Sequence, residues 1–220
     1  MTATRVAGID CGTNSIRLLV ADVEDGRLVD LDRRMEVVRL GQGVDRTGRL
    51  APEALARTLD AARRYAAICA DLGAERIRFV ATSATRDAEN RAEFVEGVRE
   101  ALGVTPEVVD GAEEAALSFR GATSVLAGRH PGPFLVVDIG GGSTEVVLGA
   151  SDVEAAWSMD VGCVRLTERH LHGDPPSDAE VAAATADVRR LLDDAARRVP
   201  FGRTATLVGL AGSVTTVTAH

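Results

Sequence analysis

The 220 residues are enough for one large domain or for two of roughly 100 residues each. A composition of 45% hydrophobic and 26% charged residues is ordinary for a globular chain, and no run of eighteen apolar residues occurs, so neither a membrane span nor a signal peptide is expected. A net charge of −8 argues against general binding to nucleic acid or to a membrane surface, while leaving room for an anionic ligand at a local site with a metal and a few arginines.

Along the chain, "RVAGID" and "NSIRLLVADV" read as two strands joined by a tight "CGT" turn. "RLVDLDRRMEVVRLG" alternates with period two and gives a third strand, with room for a fourth. "PEALARTLDAARRYAAICADLG" starts with Pro52 and ends with Gly73, the start and stop signals of a long helix. A short strand "IRFVAT", a helix ending at Gly103, a strand "PEVVD" and a helix from "GAEEAALSF" to about Gly128 follow. After the connector "RHPGPF" the pattern restarts. "FLVVDIG", "STEVVLGA" and "VEAAWSMD" are strands, "GCVRLTERHL" is a short helix, and a long helix begins at Ser177. "ATLVGLAG" is a strand that leads into a helix start at "SVTTVTAH". The order of three strands, then alternating helices and strands, runs twice, which makes an α/β protein of two related halves.

The repeat is visible in the residues. When "IDCGTNSIRLLV" is laid over "VDIGGGSTEVVL", Asp10 meets Asp138, Gly12 meets Gly140 and Ser15 meets Ser143. A flexible linker would not recur with those positions kept. A dinucleotide-binding loop is excluded too, because Gly140-Gly141-Gly142 lacks the third glycine of G-x-G-x-x-G and leads into a strand instead of a helix.

Each strand-turn-strand loop is suited to an anion. Consecutive backbone N–H groups form a concave site, and glycine lets phosphate oxygens approach. Thr13, Ser15 and Ser143 add hydroxyl donors. Asp10 and Asp138 would repel phosphate directly, but they make sense as direct or water-mediated ligands of a hard cation such as Mg²⁺. Two such loops facing each other would clamp a phosphate chain between the halves.

Other residues read more plainly. Cys11, Cys69 and Cys163 are widely spaced with no C-x-x-C pair, the pattern of a reduced, cytoplasmic protein without a disulfide frame or zinc site. The four histidines are scattered, so His170 and His172 are expected to be structural or solvated, and Trp157 is expected to pack.

"IDCGTNSIRLLV", "ATSATRDAENRAEFV", "DGAEEAALSFRGA", "VVDIGGGSTEVVLG" and "MDVGCVRLTER", in that order over the whole chain, resemble the exopolyphosphatase/guanosine pentaphosphate phosphohydrolase family. That resemblance implies two ribonuclease-H-like domains of the actin-like ATPase type, here residues 1–124 and 125–220. The family's second half continues beyond "GLAGSVTTVTA", so the second domain is expected to be incomplete. It also implies a Mg²⁺-assisted hydrolase that releases the terminal phosphate of polyphosphate, of guanosine pentaphosphate, or of both, with a homodimer left open. By the same resemblance Glu114 activates the attacking water, and Asp138 and Glu145 bind metal. Asp10, Gly12, Thr13, Asn14, Ser15, Arg17 and Arg86 bind substrate with Gly140, Gly141, Gly142 and Ser143, and Arg165 is a further candidate on the polyanion path.

The residues alone leave two rivals. One is a kinase of the same superfamily, for which "LAGSVTT" is the trace of an adenosine pocket. The other is a sensor that binds the anion without turnover and has no need of a base at Glu114.

Overall fold

The computed structural model describes residues 3–126 and 128–219. Contacts divide the chain into two compact units, Met1–Val109 and Asp110–His220.

In the first unit, β1 (Thr4–Cys11), β2 (Ser15–Glu24) and β3 (Arg27–Val37) form an antiparallel meander. The short α1 (Val44–Thr47) and the long α2 (Pro52–Asp71) lead to β4 (Arg76–Ala81). Then come α3 (Ser83–Asp87), α4 (Arg91–Leu102) and the two-residue β5 (Glu107–Val108). The sheet order is β3-β2-β1-β4-β5, with β4 parallel to β1. That is the ribonuclease-H-like order, in which the second strand runs against the others. Alternate residues of β1 (Ala7, Ile9, Cys11) are buried with Ala61, Tyr65 and Cys69 of α2 and Phe94 and Val98 of α4. Gly8 and Asp10, on the other face of the same strand, are exposed. Period-two burial is what the alternation in "RVAGIDC" dictates.

The second unit begins with α5 (Gly111–Leu126) and continues with β6 (Phe134–Ile139), β7 (Thr144–Gly149) and β8 (Val153–Met159). Then follow α6 (Cys163–His170), α7 (Asp178–Ala196), a 3₁₀ turn at Phe201–Arg203, β9 (Thr206–Leu210) and α8 (Ala211–Thr218). Its sheet runs β8-β7-β6-β9 with β9 parallel to β6, repeating the order of the first four strands of the first unit. Both faces are covered. Phe134, Val136 and Val147 pack under Ala115, Phe119 and Ala122 of α5, while Leu135, Val146 and Leu148 pack with Val188, Leu191 and Ala195 of α7. Burial on both faces explains why "FLVV" is a continuous apolar run.

Several expectations change in detail. The segment after "DGR" is a single strand whose pairing with β2 shifts register at Val20/Ala21, and the short α1 and α3 are additions to the expected elements. The first compact unit ends at Val109, and α5 is counted with the second because it packs on β6, β7 and β8. Ser177, where the long helix was expected to begin, is the N-cap of α7: its Oγ accepts from Glu180 N–H, and the Glu180 carboxylate accepts from Ser177 N–H. Trp157 packs in the core on the α7 side with the Arg198 guanidinium 3.8 Å from its ring centroid, and His170 Nε2 lies 3.1 Å from Asp187 Oδ2 of α7. Among the described residues no helix is long and apolar enough to cross a membrane.

Candidate active site

The residues singled out from the sequence fall into two groups, one in each unit. In the second unit, Gly140 N–H donates to Ser143 O at 3.0 Å and closes the turn between β6 and β7. That turn sets a register in which Asp138 stands directly opposite Glu145. Side chains opposite each other in an antiparallel pair have Cβ atoms roughly 5 Å apart, and like charges there are destabilising. Stability alone gives no reason for this pair.

The cost at Glu145 is raised further by burial, since it is 1% exposed. Burial first, then the charge of Glu114, with that of Asp138 adding to it, pushes the Glu145 carboxyl up to about 8, against the opposing hydrogen bonds from Ser158 and Ser143. Ser158 Oγ donates to Glu145 Oε1 at 2.7 Å, and Ser118 Oγ donates to Asp138 Oδ2 at 2.6 Å. Both acids are therefore fixed in orientation by hydroxyls.

Helix α5 supplies the third acid. Asp110 caps it, with Oδ1 accepting from Glu113 N–H at 2.8 Å. Gly111 allows the helix start to sit against β8, where a Cβ would stand 2.6 Å from Ser158 Cβ. Glu114 and Ser118 share one helix face, which is the face over Asp138 and Glu145. Sequence reasoning missed Ser118 and Ser158. The first was legible as one helical turn after Glu114; the second depends on the β7–β8 register that pairs Glu145 with Ser158.

The second loop is held from behind by α6. Cys163 N–H donates to Gly140 O at 3.0 Å, and Val164 and Arg165 N–H donate to Gly141 O at 2.9 and 3.1 Å. The first turn of α6 therefore spends these donors on the loop. The N–H groups of Gly141, Gly142 and Ser143 donate to no backbone carbonyl among the described residues, as an anion-binding concavity requires. The approach is close at Gly162, where a Cβ would meet Gly141 C at 2.4 Å and Gly140 O at 2.7 Å. These are backbone atoms that cannot rotate away. Gly162→Ala is expected to displace the loop, lowering phosphate release at least tenfold and costing about 1–3 kcal/mol of stability. Gly202→Ala, where a Cβ meets nothing within 4 Å, is the control in the same release and melting assays.

The first unit repeats the turn. Gly12 N–H donates to Ser15 O at 3.0 Å, and the register that pairs Asp138 with Glu145 here pairs Asp10 with Arg17. The position of the second acid has become a base. Arg17 and Asp10 are both exposed, on the sheet face away from α2. Arg86, in α3, is tied down by Nη1, which donates to Val109 O at 3.0 Å.

The sequence profile of the Ppx/GppA phosphatase family matches residues 19–220. The chain belongs to that family. It is 55% identical to exopolyphosphatase 2 of Mycobacterium tuberculosis (strain H37Rv) over 100% of this chain and 71% of that one. It is 35% identical to the guanosine-5'-triphosphate,3'-diphosphate pyrophosphatase of a Vibrio cholerae strain, over 85% of this chain and 37% of the other. Among solved structures, an exopolyphosphatase-like protein is 50% identical with a TM-score of 0.96, covering 100% of this chain and 69% of that one. The Aquifex aeolicus Ppx/GppA enzyme is 35% identical with a TM-score of 0.79, over 99% of this chain and 71% of the other. Among the described residues of this Ppx/GppA chain, no three or more His, Cys, Asp or Glu side chains are gathered as a ligand set for a metal ion.

Proposed function

We propose that this chain carries the hydrolytic site of a phosphoanhydride hydrolase that releases the terminal phosphate of inorganic polyphosphate, of guanosine pentaphosphate, or of both. The observation that carries the reading is the opposed pair Asp138 and Glu145, with Glu145 buried and within reach of the charge of Glu114. Three acids placed to repel one another are a local rule broken, and such breaks collect at functional sites.

A divalent cation fits these residues. The donors are hard carboxylate oxygens, the type that Mg²⁺ takes, and its charge would oppose the burial and the acid–acid repulsion that raise Glu145. Asp138 and Glu145 would hold it, with Ser118, Ser143 and Ser158 fixing their orientation. When bound, such a cation supplies charge neutralisation on the phosphoryl oxygens.

The chain's own groups carry the remaining work. The N–H groups of Gly141, Gly142 and Ser143 take phosphate oxygens of the terminal unit, and the Gly12–Ser15 turn of the first unit is a second concavity of the same kind. Arg17 and Arg86 balance the polyanion's charge. Glu114 orients water in line with the terminal phosphorus and accepts its proton as the new P–O bond forms and the bridging P–O bond breaks. The products are orthophosphate and a chain one phosphate shorter. Three free thiols fit a cytoplasmic location, and a homodimer is compatible with this scheme.

The test is a phosphate-release assay of the full-length protein with polyphosphate and with guanosine pentaphosphate, with and without Mg²⁺. Cation-dependent release from at least one of them is expected. Tight binding of both with release from neither would overturn the reading in favour of a sensor.

A further inference from the structure

The first loop is held by a strap of backbone that leaves β3. Val38 N–H and Arg39 N–H both donate to Asn14 O, at 3.0 and 2.9 Å, and Gly41 N–H donates to Thr13 O at 2.8 Å. Val38 and Leu40 are buried at 3% and 0% exposure, and Arg57 Nε donates to Val38 O at 3.1 Å. At Gly41 the approach leaves no room for a side chain, since a Cβ would stand 2.2 Å from Thr13 Cγ2. The strap is thus locked to the rim of the loop.

Between the two buried residues sits Arg39, with φ at +51°. Non-glycine residues seldom adopt this region, and an arginine lacks the short polar side chain that lets Asn or Asp offset the cost locally. Glycine would fill the position more cheaply. The arginine side chain, moreover, is exposed and has no hydrogen bond or ion pair among the described residues. Neither packing nor pairing accounts for it.

The loop it borders shows a second, independent anomaly. Thr13, 6% exposed, has a hydroxyl without a hydrogen-bond partner, and buried polar groups are rarely left so. An anion seated on the Gly12–Ser15 turn would answer both features, offering acceptor oxygens to the loop and charge to the strap. The second unit uses a related device, since α6 braces its loop through Cys163, Val164 and Arg165. In both units the bracing segment carries an arginine.

We propose that Arg39 is a further anion-binding residue, held by its strained backbone at the rim of the first loop to take a phosphate oxygen of the substrate. This rests on the phosphoanhydride reading above. The ligand chemistry is that of a phosphate group within a polyanion, which a guanidinium fork meets with two parallel N–H donors. A guanidinium on a phosphate oxygen holds the ligand and takes no proton from water, so its contribution falls on binding and not on the chemical step.

The experiment compares Arg39→Ala, Arg39→Gly and Arg39→Lys with the wild type in the full-length protein, using polyphosphate and inorganic tripolyphosphate with Mg²⁺. Arg39→Ala is expected to raise KM about tenfold with kcat within about twofold, and to make the fall of kcat/KM with added salt shallower. Arg39→Lys keeps the charge but loses the fork, so its KM lies between the two. Arg39→Gly separates binding from structure. It relieves the backbone, so its melting temperature holds or rises, while its KM rises as far as that of Arg39→Ala. It also serves if Arg39→Ala does not fold.

Wild-type KM and salt dependence in Arg39→Gly, with wild-type turnover intact, would overturn the assignment and leave the hydrolase reading standing. If the wild type neither binds nor cleaves either phosphate chain, the hydrolase reading fails and takes the Arg39 assignment with it.

Discussion

Replacing Glu114 by glutamine is expected to lower phosphate release by roughly 100-fold or more while leaving substrate binding and thermal stability intact. Glutamine keeps the size of the side chain and its place on α5 but does not accept a proton from water. The start of α5 does not depend on Glu114, because Asp110 already caps it through Glu113 N–H. Nor does the core depend on it, because its charge works against Glu145. The neutral variant should therefore melt at the same temperature as the wild type or higher. A residue that merely favours the helix start predicts the reverse, a loss of about 0.3–1 kcal/mol with turnover untouched. Single-turnover release at saturating substrate, together with melting curves in the same buffer, separates the two. Equal turnover in an active protein would remove Glu114 from the mechanism.

Asp138→Asn is expected to abolish cation-dependent release. The amide still offers an oxygen to Ser118 Oγ in place of Oδ2, so the local structure should persist. What is lost is one of the two carboxylates facing each other across β6 and β7. Without the cation the variant should be as stable as the wild type or more so, since the charge of Asp138 that works against ionisation of Glu145 has been removed. With the cation the order should invert. A ligand at 100 times its Kd stabilises the folded state by about 2.7 kcal/mol, and the variant forgoes that gain. Melting temperature measured against Mg²⁺ concentration reads this without any turnover. A wild-type Mg²⁺ response and wild-type release in Asp138→Asn would refute the metal assignment.

These two effects share an origin that the sequence carried only in part. "VVDIGGGSTEVV" contains both acids and the turn between them, and the repeat with "IDCGTNSIRLL" marks the stretch as more than a linker. What makes Glu145 unusual is its burial and the presence of Glu114 above it. Neither follows from spacing, because α5 is separated from β6 by a connector of no fixed direction. The same holds for Ser158, which reaches Glu145 through strand pairing, and for Asp110, whose capping role is local but lies in a stretch that reads as the end of a strand.

The amino-acid sequence by itself determined the order of the strands and of the longer helices, the duplication and the two D-x-G turns. Those depend on period-two and 3.6-residue patterns and on glycine and proline punctuation, all of which act over a few neighbouring residues. The tertiary structure alone decided that α5 packs with the second sheet and that the strand register sets acid against acid at Asp138–Glu145 but acid against base at Asp10–Arg17. It also decided that the strap after β3 locks Arg39 against the first loop. Each of these is settled by which apolar faces are buried together and by hydrogen bonds between residues distant in the chain, and local patterns carry no record of such partners.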